Sequence, residues 1–447
     1  EDYLNGTKTP KPVTRQTGED FTVNGTMCYT TTDTNGVIEE NRPYFYTGFN
    51  QLGERKDSEF FRDLGVDFMQ RSHAPGWGTV QLSYNGSEYF TEGFVSQDLI
   101  DELWACTKKG LNVDLLIEPN VVGNAAMQHY QKMVGKGVAN TNVPTPLITD
   151  EPVFRDLVKK HINVLIGAVK DIPSVKTICL MNEPSNESRT DYYKGYFAQY
   201  LTEQYHGNIA ELNKAYGTNY KNFLEVPFPD GNSATRQFYD YKTFNDDIYT
   251  DFVKYMTECV KAVDPDLPVH VKMMPMSGAQ DKPSWRWFLE FGTDHDKISR
   301  YTDLNGNDAQ GYLRNPEPHQ NLMLKLEFYD IQTGDKDVPC FNSEDHIIQD
   351  KSSNFTAEQA QHVEADIWQS AIHGKALSTA WGWGRPKDTN SSVWQSFSYR
   401  PDCIAKIGRT AYDLNRLARE LEPVVKAKEN VAVLQSLPSR VYNLEYM

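Results

Sequence analysis

Two glutamates follow short apolar runs in different parts of the chain. Glu183 comes directly after the apolar run Thr177–Met181 and Asn182, and Pro184 then prevents the strand from continuing. Glu344 ends a similar run in the segment VPCFNSEDH. A pair of carboxyl groups facing each other is the arrangement that hydrolyses glycosidic bonds. The pattern predicts Glu183 as general acid and base and Glu344 as nucleophile, with their carboxyl groups about 5–5.5 Å apart as in a retaining mechanism.

Other polar and aromatic residues fall where the predicted strands end. The nucleophile needs a cationic neighbour to stay charged, and Arg71 is predicted to be that neighbour. The alternative is that Arg71 forms a salt bridge at the mouth of the barrel that the strands are predicted to form. Asn182 is predicted to bond the sugar 2-hydroxyl. Trp383 is predicted to form an apolar floor under the sugar ring, the alternative being a purely core residue. The remaining residues predicted to contact substrate are Glu118, Asn120, Asn307, Asp308, His346 and, from the loop after the second strand, Trp77.

Eight strand-like segments alternate with loops and helical patterns, which indicates a parallel sheet. Closure of eight such units predicts a TIM (β/α)8 barrel, in which the carboxyl ends of the strands form the active site. An open doubly wound sheet is the rival, but no Gly-rich phosphate loop follows the first strand. The predicted strands are Tyr44–Phe49, Val66–Arg71, Val113–Ile117, Thr177–Met181, Val269–Met274, a segment starting at Asn305, Val338–His346 and Ala376–Trp383.

Helical patterns occupy the intervals between these strands. Pro152–Val169 is the clearest, because proline suits a first helical turn and the apolar residues form one stripe. The other predicted helices are Lys56–Leu64, Val95–Lys109, Tyr192–Tyr205, Ile209–Tyr216, Phe238–Val263, Ser284–Phe291, Leu322–Tyr329, Ala357–His373 and Cys403–Leu421.

The pattern divides the chain into three parts. Residues 1–41 are predicted to form an irregular lead-in with a hairpin, because they are polar and rich in turn signals. Residues 42–425 are predicted to form the catalytic barrel, with an insertion at about 186–235. Residues 426–447 are predicted to begin a further, truncated C-terminal α/β domain.

Composition restricts the class of partner. The 447 residues carry a net charge of −16, which disfavours nucleic acid and anionic membranes as partners. No apolar run is long enough for a membrane span. The six cysteines form no CxxC pair, and we expect neither a metal nor a cofactor. The polar stretch Glu1–Thr22 is typical of a mature exported protein, periplasmic or secreted, with a cytoplasmic location as the alternative.

The sequence also resembles a known enzyme family. Asn182-Glu183-Pro184 together with Glu344 resembles clan A of the glycoside hydrolases. The segment FAQYLTEQYHGNIAELNKAYGTNYKN resembles the insertion of the family 42 β-galactosidases, and VAVLQSLPSRVY resembles the start of their trimerisation domain. The loop sequences QRSHAPGWG and AWGWGRP and the missing zinc-binding cysteine cluster depart from that family, which leaves a sister family open.

The resemblance implies a retaining, exo-acting β-galactosidase-type hydrolase, with Glu183 and Glu344 at the catalytic positions. Its substrate would be an oligo- or polysaccharide β-glycoside, and its assembly a homotrimer or another homo-oligomer. Two alternatives stay open. One is a different retaining β-glycosidase, such as a β-mannosidase, a β-glucosidase or a polysaccharide-degrading enzyme, and the other is an inactive sugar-binding barrel.

Overall fold

The computed structural model describes residues 14–15, 21–50, 57–72, 80–84, 89–118, 152–184, 186, 189, 191–230, 235–274, 293–311, 318–348, 357–384 and 397–427. Within these residues the strands are β1 (Thr14–Arg15), β2 (Thr22–Asn24), β3 (Met27–Thr34), β4 (Val37–Tyr44), β5 (Tyr46–Asn50), β6 (Phe68–Ser72), β7 (Val80–Tyr84), β8 (Tyr89–Val95), β9 (Asn112–Leu116), β10 (Val175–Asn182), β11 (Val269–Lys272), β12 (Asn305–Asn307), β13 (Cys340–Asp345) and β14 (Lys375–Trp381).

Eight parallel strands form a barrel. They are hydrogen-bonded in the order β11-β10-β9-β6-β5-β14-β13-β12, and a parallel bridge between Met273 and Asn307 closes the ring. Each of the eight predicted strand segments supplies one barrel strand. The predicted TIM barrel is therefore confirmed.

Helices surround the barrel. They are α1 (Gln97–Lys109), α2 (Pro152–Val169), α3 (Asp191–Gln204), α4 (Ile209–Tyr216), α5 (Arg236–Val263), α6 (His295–Ser299), α7 (Pro318–Asp335), α8 (Ala357–Ile372), α9 (Pro401–Arg416) and α10 (Ala418–Val425). Three predictions were wrong in extent. The helix predicted over Lys56–Leu64 is a short 3-10 turn at Ser58–Phe60, α7 is longer than predicted, and the last helix is two helices.

The N-terminal segment is more regular than predicted. The expected hairpin is present as β3 and β4, but β1 and β2 also pair with β3, giving a four-stranded antiparallel sheet. Cys28 and Tyr44 of this sheet share an apolar cluster with Tyr46, Phe68 and Phe341. Since Tyr46 and Phe68 begin their strands, the sheet packs against the amino-terminal end of the barrel. A second hairpin, formed by β7 and β8, was not predicted.

The predicted insertion has an apolar cluster of its own. Aromatic and aliphatic side chains of α3 and α4 pack on the first half of α5, and the buried members include Tyr193, Phe197 and Phe244. Inside this cluster the buried Asp240 carboxylate accepts hydrogen bonds from the hydroxyls of Tyr205 and Tyr216, at 2.7 and 2.9 Å. The insertion therefore folds around its own core.

Three predicted segments lie outside the described residues: most of the region predicted to begin a C-terminal domain (428–447), the helix Ser284–Phe291 and the loop between β9 and α2. Among the described helices, none combines the length and the apolar character that crossing a membrane requires.

Candidate active site

Two glutamates that follow adjacent barrel strands have unusual backbone dihedral angles. Glu118 follows β9 with φ 36°, and Glu183 follows β10 with φ 43°. Both values lie in the left-handed region, which costs a non-glycine residue about 1–3 kcal/mol and is concentrated at functional sites. The Glu183 N–H donates to the Lys272 carbonyl at 2.9 Å, which fixes the residue to the next strand. Burial raises the pKa of Glu118, with Lys272 opposing and Glu183 adding to the effect.

Glu344 lies across the mouth of the barrel, near the end of β13. Its Oε2 accepts a hydrogen bond from the Lys272 ammonium at 2.8 Å, and its Oε1 lies 3.3 Å from Nε2 of His346. Glu344 is 7% exposed and Lys272 is 2% exposed. Burial would raise the pKa of Glu344, but the charges and hydrogen bonds of Lys272 and His346 together outweigh burial and lower the pKa to about 2. Glu344 is therefore ionised at neutral pH, as a nucleophile must be.

Lys272 connects the two proposed catalytic glutamates. Burial would lower its pKa, but the charge of Glu344 raises it well above the ordinary value, and Glu183 adds to this effect. Lys272 was one of the polar strand-end residues of the sequence, but no role was predicted for it. The alternation in β11, VHVK, could have indicated this role. Val269 and Val271 face outwards and pack in the main apolar cluster. His270 and Lys272 therefore face the interior of the barrel.

The prediction that Arg71 holds the charge of the nucleophile was wrong. Arg71 is the residue before the last of β6, but its Nε lies 3.1 Å from Oε1 of Glu102 on α1. The side chain therefore extends towards the surrounding helix and forms the salt bridge that was its alternative interpretation. Lys272 takes the predicted role because its strand lies beside β10 and its side chain points into the barrel.

Trp383 was also wrongly assigned to the sugar-binding floor. Its ring is 6% exposed and packs against Phe49 and Phe61, with ring centroids 4.8 and 5.2 Å away. Its Nε1 donates to Oδ2 of Asp57 at 2.8 Å. Trp383 is a core residue, because β14 ends two residues earlier at Trp381.

Trp381 is the half-buried tryptophan at the mouth. Its ring centroid lies 5.6 Å from that of His346, and the peptide bond between Trp381 and Gly382 is cis. Trp381 was not predicted as a site residue, although the segment AWGW contains two tryptophans and β14 ends at the first of them. Trp381 and His346 provide an aromatic wall beside Glu344.

The residues predicted at the ends of β10 and β12 differ in exposure. Asn182 is half-buried at the end of β10, where a ligand could reach it. Asn307 was predicted to contact substrate, but its side chain donates to Gln332 at 2.8 Å and accepts from the Ala309 N–H at 3.1 Å. Asp308 is completely buried and therefore cannot contact a ligand directly. Trp77 and Asn120 lie outside the described residues.

A belt of polar side chains crosses the barrel interior below the mouth. Asn50 donates to Gln70 at 2.8 Å, and Gln70 donates to Asp114 at 2.7 Å. Thr177 donates to Asp114 at 2.7 Å, and Nε2 of His270 lies 3.0 Å from the same oxygen. Burial would lower the pKa of His270, but its neighbours Cys179 and Asp114 raise it to about 10. The belt ties five barrel strands together.

One group of described residues has the composition of a metal site. Asp114, Cys179 and His270 offer ligand atoms within 4.8 Å of one another. Both oxygens of Asp114 already accept hydrogen bonds within the belt. The trio therefore acts as part of the hydrogen-bonded interior, and no step of the chemistry proposed below needs a metal there.

A second buried cluster, made of charged side chains, holds the end of β13 in place. Asp345 accepts hydrogen bonds from Lys325 at 2.6 Å and from Lys375 at 2.5 Å. Lys325 also contacts Asp366 at 2.6 Å. Burial would raise the pKa of Asp345, but the two lysines lower it well below its ordinary range. Since Asp345 follows Glu344 directly, this cluster holds the strand end that carries the nucleophile.

Comparisons with known proteins agree with this architecture. The family model described as beta-galactosidase of glycoside hydrolase family 42 matches residues 140–330. A search of curated proteins finds no match. The chain resembles clan A glycoside hydrolases, and specifically family 42.

Three solved structures share the fold at low sequence identity. The apo exo-carrageenase of family 42 from Bacteroides ovatus is 19% identical with a TM-score of 0.70, covering 95% of this chain and 58% of that chain. The cold-adapted β-galactosidase from Rahnella sp. R3 is 19% identical with a TM-score of 0.68, covering 89% and 60%. The β-galactosidase from Bacillus circulans sp. alkalophilus is 17% identical with a TM-score of 0.63, covering 86% and 57%. The chain thus spans less than two thirds of the length of each.

Proposed function

We propose that this protein is a retaining β-glycoside hydrolase of the β-galactosidase type. The observation that carries the proposal is the convergence of Glu183 and Glu344 on Lys272 at the carboxyl end of the barrel. One of the two glutamates, Glu344, is held ionised by a buried ion pair. Double displacement requires a carboxylate that is ionised at neutral pH together with a second carboxyl group.

Each residue has a defined task in this mechanism. The Glu344 carboxylate attacks the anomeric carbon while Glu183 gives its proton to the leaving oxygen, so that the glycosidic bond breaks and a glycosyl ester forms. Glu183 then takes a proton from water, which attacks the anomeric carbon and releases Glu344. Asn182 is placed to bond the sugar 2-hydroxyl, and Trp381 to contact the apolar face of the sugar ring.

The comparisons support a β-galactoside as the first substrate to test, because two of the three solved relatives are described as β-galactosidases. A second candidate is an exo-acting polysaccharide hydrolase, because the Bacteroides ovatus exo-carrageenase overlays on 95% of this chain. Exo action, assembly as a homo-oligomer and export belong to the same proposal.

The experiment that tests the proposal combines a substrate screen with two variants. Nitrophenyl β-galactoside should be cleaved with retention of configuration, and the β-glucoside, the β-mannoside and carrageenan oligosaccharides measure the alternatives. Glu344→Ala should abolish turnover, and added azide should restore part of it by replacing the nucleophile and should yield the glycosyl azide of inverted configuration. Near-normal turnover of Glu344→Ala would contradict the assignment.

Glu183→Ala separates the acid from the nucleophile. Its rate on substrates with poor leaving groups should fall by about 10²–10⁴, the usual contribution of general acid catalysis. On activated aryl glycosides the rate of the first step, formation of the glycosyl ester, should fall much less. Equal losses on both substrates would count against Glu183 as the acid. Glu258→Ala, an exposed glutamate on α5, is the control and should behave like the wild type.

A sugar-binding barrel without activity is the remaining rival. It predicts that the purified protein binds sugars but cleaves none of the glycosides in the screen. The ionised, buried Glu344 argues against this rival, because a binding site gains little from keeping a costly buried charge pair.

A further inference from the structure

A third carboxyl group lies behind the proposed catalytic pair. Asp308 follows β12, and its N–H donates to the Met273 carbonyl at 3.1 Å, which fixes the residue to the neighbouring strand. Its side chain is completely buried. Among the described residues, no hydrogen-bond donor reaches either of its carboxyl oxygens. An ionised carboxylate left in this state would lose its hydration without compensation.

The groups that face Asp308 come from three strands. They are Glu183 after β10, Lys272 on β11 and Glu344 on β13. The ammonium of Lys272 is already paired with Glu344 at 2.8 Å. Glu183 is the neighbour within hydrogen-bond reach of Asp308, and two carboxyl groups in such contact need a proton between them.

Charge balance selects the group that carries this proton. One ammonium cannot neutralise three neighbouring carboxylates of which two, those of Asp308 and Glu344, are buried, so at least one of the three stays protonated. The pKa of Glu344 is lowered to about 2. Burial raises the pKa of Asp308 well above its ordinary range, and the negative charges of Glu183 and Glu344 raise it further.

We propose that Asp308 is a positioning residue that holds a proton at neutral pH and shares it with Glu183 through a carboxyl–carboxyl hydrogen bond. The inference rests on the proposed function, since Glu183 is the proposed acid and base. When Glu183 gives the shared proton to the leaving oxygen, both carboxyl groups of the pair become ionised. When Glu183 takes a proton from the attacking water, that proton is again shared between the two groups, so the pair neither gains nor loses a proton over the cycle.

The pair should titrate as one unit. Two carboxyl groups that interact this closely lose their protons in two separated steps, and the upper step belongs to the pair. This upper step keeps the pair protonated to higher pH than a single carboxyl group would be. In Asp308→Asn the second acid is absent. The new amide donates a hydrogen bond to the Glu183 carboxylate, and this bond favours the charged form of Glu183. The alkaline limb of kcat/KM should therefore move to lower pH by about one unit or more.

The first measurement does not need activity. The infrared spectrum of the wild type at neutral pH should contain the carbonyl stretch of a protonated carboxyl group that disappears in Asp308→Asn. The same band should shift in Glu183→Gln, because the acceptor of the Asp308 proton has changed. Asp246 on α5 is the matched control, since it is a buried aspartate whose pKa is also raised by burial. Asp246→Asn should lose a protonated band of its own but keep the wild-type pH profile.

The second measurement is the pH dependence of kcat/KM on a substrate with a poor leaving group. The alkaline limb should lie at the lowest pH in Asp308→Asn and at the highest pH in the wild type. Asp308→Leu, which removes the second acid without adding a hydrogen-bond donor, should lie between them. A residue with a merely structural role would lower the activity of both variants without moving either limb. If neither Asp308 variant folds, the band shift in Glu183→Gln still decides the proposal.

The outcomes separate this inference from the proposed function. A band that is lost in Asp308→Asn and shifted in Glu183→Gln, in a protein that cleaves no glycoside, supports the shared proton and rejects the hydrolase. Glycoside cleavage without any band assignable to Asp308 supports the hydrolase and overturns the shared proton. An alkaline limb that stays in place in Asp308→Asn also overturns it.

Discussion

Replacing Lys272 by methionine tests the electrostatic basis of the site. Both members of the Lys272–Glu344 pair are almost fully buried and lie 2.8 Å apart, so water cannot replace the lost charge. In the wild type, burial raises the pKa of Glu344, and Lys272 with His346 lowers it to about 2. In Lys272→Met the burial remains while the largest opposing charge is gone. The pKa of Glu344 should therefore rise to at least its ordinary value of 4.5.

This change can be converted into a free energy and a rate. A rise of about 2.5 in pKa corresponds to roughly 3 kcal/mol lost from the ionised form of Glu344. Because the nucleophile must be ionised, the acidic limb of kcat/KM should move up by about 2.5 pH units or more. Steady-state rates on an activated aryl glycoside, measured from about pH 3 to pH 8, provide the assay. An acidic limb that coincides with that of the wild type would refute the role of Lys272.

The same variant has a signature in stability. The folded-state pKa of Glu344 lies below its unfolded value, so its contribution is complete above about pH 4.5 and is lost as the pH falls towards about 2. At neutral pH, Lys272→Met leaves the buried Glu344 carboxylate without its ammonium partner, and the free energy of unfolding should fall by about 3–5 kcal/mol. Urea unfolding measures this loss.

Two further variants serve as controls for the stability measurement. Lys272→Met/Glu344→Gln should recover much of the lost stability, because no charge is then left buried alone. Lys194→Met removes an exposed pair with Asp191, whose side chains are 64% and 81% exposed. It should leave both stability and the pH profile close to those of the wild type. A double variant that is no more stable than Lys272→Met would argue against an isolated charge as the cause.

Two other predictions concern residues whose sequence-based roles were wrong. Arg71→Met should leave the acidic limb in place, because its partner is Glu102; a shift as large as that expected for Lys272→Met would contradict this. Trp383→Phe should lower the free energy of unfolding by about 1–3 kcal/mol, because Asp57 loses a buried hydrogen bond. Its KM should stay within about twofold of the wild type, and a tenfold rise would instead indicate contact with substrate.

The barrel could be predicted from the sequence because each strand is recognised from a few consecutive residues. Most barrel strands contain a short apolar segment, although β12 is Asn-Gly-Asn. A strand that must bury both its faces has an apolar composition whatever its neighbours are. Glu183 and Glu344 were found for the same reason, since each ends such a segment. Only a hairpin of the N-terminal sheet was predicted, because β3, MCYTTTDT, has threonines where the strand pattern needs apolar side chains.

The partners of the site residues were less predictable, because a pair depends on which strands are neighbours and on where each strand ends. Lys272 and Glu344 come from β11 and β13, and only barrel closure brings them together. Arg71 was placed on the correct strand, but its side chain leaves the barrel for α1. Trp383 was misassigned because the end of β14 was predicted two residues too late.

Helix α5 belongs to two apolar clusters at once. Its first half, including Phe244, packs in the cluster of the insertion, and its second half, including Phe252 and Met256, packs in the main cluster around the barrel. A single 28-residue helix therefore links two cores that could otherwise loosen independently. From the end of this helix the chain runs directly into β11, the strand that carries the lysine at the mouth of the barrel.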